Sequence, residues 1–341
     1  MPRHLPTISD VAMLAGVSRA TVSRVLNGSP LVSETTRRTV HDAAASLRFK
    51  PNAQARLLAG GRSHTVMLIC TATDNQGLTW YNLLLESGAV RGCARHGLQL
   101  EMDIVYPDPP HSYERILRPI DTLNCDGMIL APPFSDDPEL IALIQARHMP
   151  LVCIAAGPAT RPLTAGIAMD EDAAGFELGR YLLSLGHRRF VFVLGPQNQC
   201  AASERYDGFC RAVAAADVAS DDILTLRGRF DYESGRESFD AFHASGFHAT
   251  AMICGNDEMA AGALYGAHEA GLAIPRDLSI VGFDDAPFAS MLSPPLTTIA
   301  QPVYSMAQHA ADLIVASLKG QHIPYESTKP RLVVRHSAAA V

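Results

Sequence analysis

From residue 64 onward, short runs of uninterrupted apolar residues alternate with amphipathic stretches, and this alternation leaves few folds open. The runs cover 66–70, 98–105, 127–131, 151–155, 190–194, 251–254 and 279–283. Helical patterns lie between them at 81–96, 136–147, 172–185, 204–215, 233–245 and 257–270. Strands that are apolar on both faces belong in parallel sheets covered by helices on each side. Ligands of such sheets bind at the carboxyl ends of the strands. The positions there are 71–75, Pro132-Pro133, Gly195, Asn256-Asp257 and Asp284-Asp285. No G-x-G-x-x-G or G-x-x-x-x-G-K-[ST] occurs, so nucleotide chemistry lacks its usual phosphate cradle.

The first fifty residues follow a different rule. Thr7 with Asp10 resembles a capping box at the start of a helix whose apolar face is Ile8, Val11, Ala12 and Ala15. Gly16 ends it, where a left-handed backbone costs least. Val17 plugs the angle between helices, and Ser18 caps a second helix that buries Val22, Val25 and Leu26. Arg19, Ala20, Thr21, Ser23 and Arg24 are left on or near its outer side, and Asn27-Gly28 closes it. Ser33 caps a third helix from Glu34 to about Leu47, with Val40, Ala44 and Leu47 inward.

A short helix, a glycine turn and a second helix with arginine and small polar residues outward form a helix-turn-helix. Arg19 suits guanine O6 and N7, and Ala20 suits a thymine methyl. Thr7, Ser18, Ser33, Thr36 and Arg37 stand at helix starts, where hydroxyls and N–H groups meet phosphate. A three-helix module that binds protein is the alternative reading. Charge divides in the same place. Residues 1–64 hold nine basic and three acidic side chains, a net of +6; the remainder holds 19 and 32, a net of −13. A small polyanion-binding module on an acidic body fits that split.

Composition excludes other classes. Apolar residues are 48% and charged residues 18%, enough for a core and unlike a disordered chain. No apolar run reaches the roughly 18 residues that span a bilayer. The start, MPRHLPTISDVAMLAG, lacks the apolar region of a signal peptide. Seven scattered cysteines without a C-x-x-C pair argue for a reducing cytoplasm rather than disulfides or zinc. The histidines show no metal-ligand spacing, and no G-x-S-x-G accompanies the acidic pairs.

The run TISDVAMLAGVSRATVSRVLNGSPLVSETTRRTV resembles the headpiece of the lactose/galactose repressor (LacI/GalR) family. FKPNAQARLLAGGRS resembles that family's hinge, and LGHRR, ERYDGF, CGNDEMAAGAL, SIVGFDDAPF and PPLTTIAQP continue the match to near the C-terminus. The resemblance implies an all-α headpiece on an α/β core of two Rossmann-like lobes, like periplasmic sugar-binding proteins, with an effector in the cleft. It implies hinge helices that pair in the minor groove, with Leu58 as the wedge, Ala55 allowing close approach, and Asn52 and Arg56 at the backbone or groove edge. Read without the resemblance, Pro51 and Gly60-Gly61 bound a marginal two-turn helix or a simple linker.

In the core the resemblance makes Arg205 and Asp284 effector contacts, with Asn256, Phe230 and, more weakly, Asp170 beside them. Each has a structural alternative: Arg205 on a helix surface, Asp257 and Asp284-Asp285 as caps, Phe230 in the core. Thr71, just past the carboxyl end of the first strand, is a further effector-binding candidate. Trp80 either stacks at the mouth of the cleft or serves packing or dimer contact. Ala155-Ala156 stand where relatives often carry a polar residue, so no known effector transfers directly.

The expectation is therefore a sequence-specific DNA-binding regulator, a repressor, acting without cofactor or metal on a pseudo-palindromic operator as a homodimer in the cytoplasm, associated with the nucleoid. Its effector is a sugar or sugar derivative; a nucleobase or a partner protein is the alternative. The final RLVVRHSAAAV carries no leucine heptads, which points to a dimer. A solute receptor and an α/β enzyme are the rival classes. The expected domains are a headpiece at 1–50, a hinge at 51–63 and a core at 64–341. The core is expected to split into a first lobe of 64–162 with 294–320 and a second of 163–293 with 321–341.

Overall fold

The computed structural model describes residues 6–26, 31–47, 49, 63–71, 79–122 and 124–341. It comprises two compact units, Met1–His64 and Thr65–Val341.

The first unit holds α1 (Ile8–Ala15), α2 (Arg19–Leu26) and α3 (Glu34–Ser46). The caps follow from short polar side chains that satisfy first-turn N–H groups. Thr7 Oγ1 accepts from the Asp10 amide at 3.4 Å while the Asp10 carboxylate accepts from the Thr7 amide at 2.7 Å, a reciprocal capping box. Gly16 stops α1 at φ +64°, and the Val17 amide then reaches the Ala12 carbonyl. Ser18 and Ser33 cap α2 and α3 by accepting from the Thr21 and Thr36 amides. Val11, Val22, Val25 and Val40 are buried with Ala12, Ala43 and Ala44; Val17, Leu26 and Leu47 pack half-buried at the edge.

In chain order the second unit runs β1 (Thr65–Thr71), α4 (Trp80–Arg95), β2 (Gln99–Val105), α5 (His111–Asp121), β3 (Gly127–Leu130), α6 (Pro138–Gln145), β4 (Leu151–Ile154) and β5 (Ala165–Met169). Then follow α7 (Glu171–Ser184), β6 (Phe190–Leu194), α8 (Cys200–Ala214), β7 (Ile223–Arg227), α9 (Tyr232–Ala244), β8 (Ala251–Cys254), α10 (Asp257–Glu269) and β9 (Ser279–Asp284). Last come β10 (Thr297–Ala300), α11 (Val303–Leu318), β11 (Tyr325–Thr328) and β12 (Arg331–Val333).

Two six-stranded sheets result, ordered β11-β5-β4-β3-β1-β2 and β12-β10-β9-β8-β6-β7. Every pairing is parallel except β12 on β10. Helices cover both faces of each sheet, as continuous apolar strands require. Leu85 and Ala89 of α4 and Ala307 and Ile314 of α11 bury one face of the first sheet, and Ile116 of α5 with Ile141 of α6 bury the other. Phe239 and Met259 cover one face of the second sheet; Leu178 and Phe209 cover the opposite one. Each of the larger side chains, from Leu85 to Phe239, contributes about 1.5–3 kcal/mol of burial free energy before ordering entropy is counted, and the alanines less.

The lobe boundaries differ from those expected. β5 belongs to the first sheet, with Ile167 opposite Ile154. β10 belongs to the second, with Thr297 opposite Val281. β11 returns to the first, with Tyr325 opposite Gly166, while β12 closes the second. These strands have three to five residues, and several are polar or half-exposed. Their lobe is set by distant hydrogen-bond partners rather than by an apolar run of their own. Among the described residues no helix is long and apolar enough to cross a membrane.

Candidate functional site

The headpiece presents α2 outward. Arg19, Ala20 and Arg24 are exposed, while Thr21 and Ser23 are half-buried beside them. Arg19 and Arg24 make no ion pair among the described residues, so both guanidinium forks are open to an anion or a base edge. Thr7, Ser18 and Ser33 are exposed caps, and Thr36 is bonded to Ser33. Arg37 pairs with Glu34 at 3.4 Å, an exposed i,i+3 contact that a phosphate can displace. Asn27, Asn52, Ala55, Arg56 and Leu58 lie outside the described residues, as does the rest of the expected hinge to residue 62.

Within the second unit, a cavity of about 230 Å³ lies where the carboxyl ends of both sheets meet. Thr71 ends β1, Pro132-Pro133 follow β3, Ala155 follows β4, Phe230 follows β7, Asn256 follows β8, Asp284 ends β9 and Gln301 follows β10; all line it. Of the seven positions singled out from sequence, five are brought together here: Arg205, Asp284, Asn256, Phe230 and Thr71.

Arg205 is buried at 5% exposure, and most of its donors are already engaged. Nε donates to Glu171 Oε2 at 2.6 Å, Nη1 to the Gly255 carbonyl at 2.7 Å, and Nη2 to Glu171 Oε1 at 3.3 Å. Gln301 completes the network by donating to Glu171 Oε1 at 3.1 Å and accepting from Arg205 at 3.5 Å. The guanidinium also stands 4.8 Å from the centre of the Phe283 ring. The pair is neutral in sum, with each charge desolvated but answered.

Asp284 is different. Its backbone takes φ +117°, a left-handed value rare for a residue with a side chain. Its carboxylate receives no hydrogen bond from the described residues. Burial pushes it well above the usual carboxylate range. Arg205 opposes that shift, while Asp257, Glu258 and Glu171 reinforce it. Phe230 also has positive φ, +63°, and is held there because Asn256 donates to its carbonyl at 3.0 Å. Asn256 Oδ1 simultaneously caps α10 by accepting from Met259 at 2.9 Å. Asn256 therefore positions the aromatic wall and has both polar atoms in use.

Two positions fall elsewhere. Asp170 is exposed and caps α7 by accepting from the Ala173 amide at 3.0 Å; its neighbour Glu171 is the buried acid. Trp80 does not line the cavity. Its ring packs 6.0 Å from that of Phe288, its backbone N–H donates to Glu258 at 2.9 Å, and 40% of its surface is exposed. Its neighbour Tyr81 lines the cavity instead, with a buried hydroxyl that has no hydrogen-bond partner among the described residues. Glu171, Gln301 and Tyr81 are the site residues that sequence reasoning missed. Only Glu171 left a signal, as a first-turn acid one residue from the one chosen.

A headpiece with an unpaired basic helix and a two-lobed core enclosing a ligand-sized cavity define a ligand-responsive DNA-binding regulator. Residues 7–52 match the model for bacterial regulatory proteins of the lacI family, and residues 180–338 match the periplasmic binding protein-like domain. The HTH-type transcriptional repressor PurR of Klebsiella pneumoniae strain 342 is 31% identical over 337 residues, covering 98% of this chain and 97% of the relative. Its Salmonella typhi counterpart is also 31% identical, with the same coverage. The transcriptional regulator CelR in complex with cellobiose is 30% identical, with a TM-score of 0.73 over 97% of this chain and 99% of that one. The lac repressor dimer bound to operator and the anti-inducer ONPF is 26% identical, with a TM-score of 0.84 over 99% and 100%. The chain belongs to the LacI family and is a DNA-binding transcriptional repressor.

Proposed function

We propose that this repressor answers to a neutral, single-ring carbohydrate bound in the interlobe cavity. The observation that carries the reading is Asp284, a cavity carboxyl group with no hydrogen-bond partner among the described residues, in a cavity that also holds the orphan Tyr81 hydroxyl and the Phe230 ring. A sugar presents hydroxyl donors to an unsatisfied carboxylate and an apolar face to an aromatic ring. The volume of about 230 Å³ lies below the roughly 300–1,000 Å³ of drug-sized sites and suits one ring. Charge argues against a phosphorylated ligand. Arg205 is neutralised by Glu171, and Arg229 at the rim is paired with Asp231 and Glu237. The likeness to a regulator–cellobiose complex supports the carbohydrate class.

A nucleobase is the second reading. A planar ring also stacks on Phe230, and the Asp284 carboxyl, pushed up by burial, lines the same space for a ring nitrogen or amide. On the DNA side, Arg19 and Ala20 read base edges while Arg24, Thr21, Ser23 and the caps Thr7, Ser18 and Ser33 meet phosphate. Thr36, Arg37 and the hinge residues Asn52, Ala55, Arg56 and Leu58 extend the contact across the two half-sites of a homodimer.

The test is a thermal-shift screen against sugars, sugar phosphates, nucleobases and nucleosides. A ligand at 100 times its Kd stabilises by about 2.7 kcal/mol. Stabilisation by a neutral sugar that is lost in Asp284→Ala is the expected result. A hit confined to nucleobases replaces the carbohydrate reading, and a hit confined to phosphorylated sugars refutes the charge argument.

A further inference from the structure

Helix α8 carries Arg205 into the cavity, yet its own N-cap residue, Gln199, supplies no side-chain cap. The missing acceptor comes from the other lobe. Asp136, which follows β3 in the first lobe, accepts from the Cys200 amide through Oδ2 at 2.9 Å. Its other oxygen, Oδ1, accepts from the Gly157 amide of the first lobe at 2.6 Å. One carboxylate thus bridges two backbone N–H groups, one from each lobe. The approach is close enough to dictate residue type. A Cβ at Gly157 would stand 2.6 Å from both Cβ and Sγ of Cys200, nearer than real atoms come. One turn further along α8, Glu204 pairs at 2.6 Å with Arg161 of the first lobe, whose Nε is fixed on the Ala156 carbonyl at 2.7 Å.

We infer that Asp136 caps α8 in trans, so that closing the lobes and positioning Arg205 are one event. Opening the cleft removes the cap, leaves the Cys200 amide to water, and frees the helix start that carries the cavity residues Gln199, Ala201 and Arg205. Asp136 is a positioning residue: it acts through α8 and lies outside the cavity lining. Burial raises its carboxyl while the two N–H groups hold it down, as expected of an acceptor committed to both. The inference concerns the unliganded protein and stands or falls apart from the identity of the effector.

The experiment is hydrogen exchange and small-angle scattering on the full chain without ligand, in the parent, Asp136→Ala, Asp136→Asn and Gly157→Ala. In Asp136→Ala the amides of the first turn of α8 should exchange about tenfold faster, the protection that one lost cap gives up. Strands β3 and β8 should keep their parent rates, and the scattering should report a wider core. Asp136→Asn, which retains one acceptor, should fall between. Gly157→Ala keeps the carboxylate and wedges the lobes apart, so it should produce the same exchange pattern even if Asp136→Ala does not fold. Parent-like exchange at the start of α8 in Gly157→Ala, or in a folded Asp136→Ala, overturns the inference. So does acceleration spread equally over β3 and β8.

Discussion

Tyr81→Phe separates what the cavity does for stability from what it does for binding, because the two effects have opposite sign. The Tyr81 hydroxyl is buried without a hydrogen-bond partner among the described residues, and an unsatisfied buried polar group costs about 1–3 kcal/mol. Removing the oxygen relieves that cost and leaves the ring in place. Taking the lower end, about 1 kcal/mol, the unliganded core should melt about 2–4 °C higher. The same oxygen is the donor or acceptor that a bound sugar would use. Losing one neutral hydrogen bond of about 0.5–1.5 kcal/mol weakens binding about two- to twelvefold. A melting curve with and without the ligand found in the screen reads both quantities on one sample. If the unliganded variant melts at or below the parent temperature, the hydroxyl has a partner and the orphan argument is wrong. If ligand affinity is unchanged, the hydroxyl does not face the ligand.

Further outcomes follow from the same geometry. Arg205→Met leaves Glu171 buried without its counter-charge and should destabilise the core by about 3–5 kcal/mol; adding Glu171→Leu should recover part of that loss, and strictly additive losses would refute the pair. Burial raises the carboxyl of Asp257 to about 7, against about 3.9 in an unfolded chain. The folded state holds that proton more tightly, so the stabilisation is full below about pH 4 and is lost as pH rises through 7. The melting advantage of the parent over Asp257→Asn should therefore shrink between pH 4 and 7, and a flat difference would count against the assignment. Arg19→Ala should relax base preference at one position per half-site, costing about 1–3 kcal/mol, as read by operator selection. Leu58→Ala should weaken operator binding far more than binding to random DNA; equal losses would remove it as a wedge.

The parts of this molecule legible in sequence are those governed by local rules. Thr7, Gly16, Ser18 and Ser33 announce helix boundaries because each acts on amides three residues away or on its own backbone. The apolar runs announce the sheets for the same reason. Two of the site assignments missed by one residue, Asp170 for Glu171 and Trp80 for Tyr81. Both helix starts are capped locally, by Asp170 and Thr79, but successive residues there point about 100° apart, and which one faces the cavity is set by packing between the lobes. The start of α8 is set at longer range. The expected helix began at Glu204, but it begins at Cys200 because its cap belongs to the other lobe and leaves no mark nearby in the chain. The expected lobe limits missed β5, β10 and β11 for a related reason, since their partners are sheet neighbours distant in sequence.

The order of the strands also bears on how this protein is made. The headpiece, with its caps and core drawn from the first fifty residues, can fold as soon as it leaves the ribosome. The first sheet cannot be completed until β11 emerges at residue 325, nor the second until β12 at 331, although both were begun far upstream. During most of its synthesis the nascent chain therefore carries a finished DNA-binding unit tethered to two unfinished sheets with open edges. A ribosome stalled anywhere before β12 leaves a headpiece able to meet DNA but no complete cleft to answer an effector.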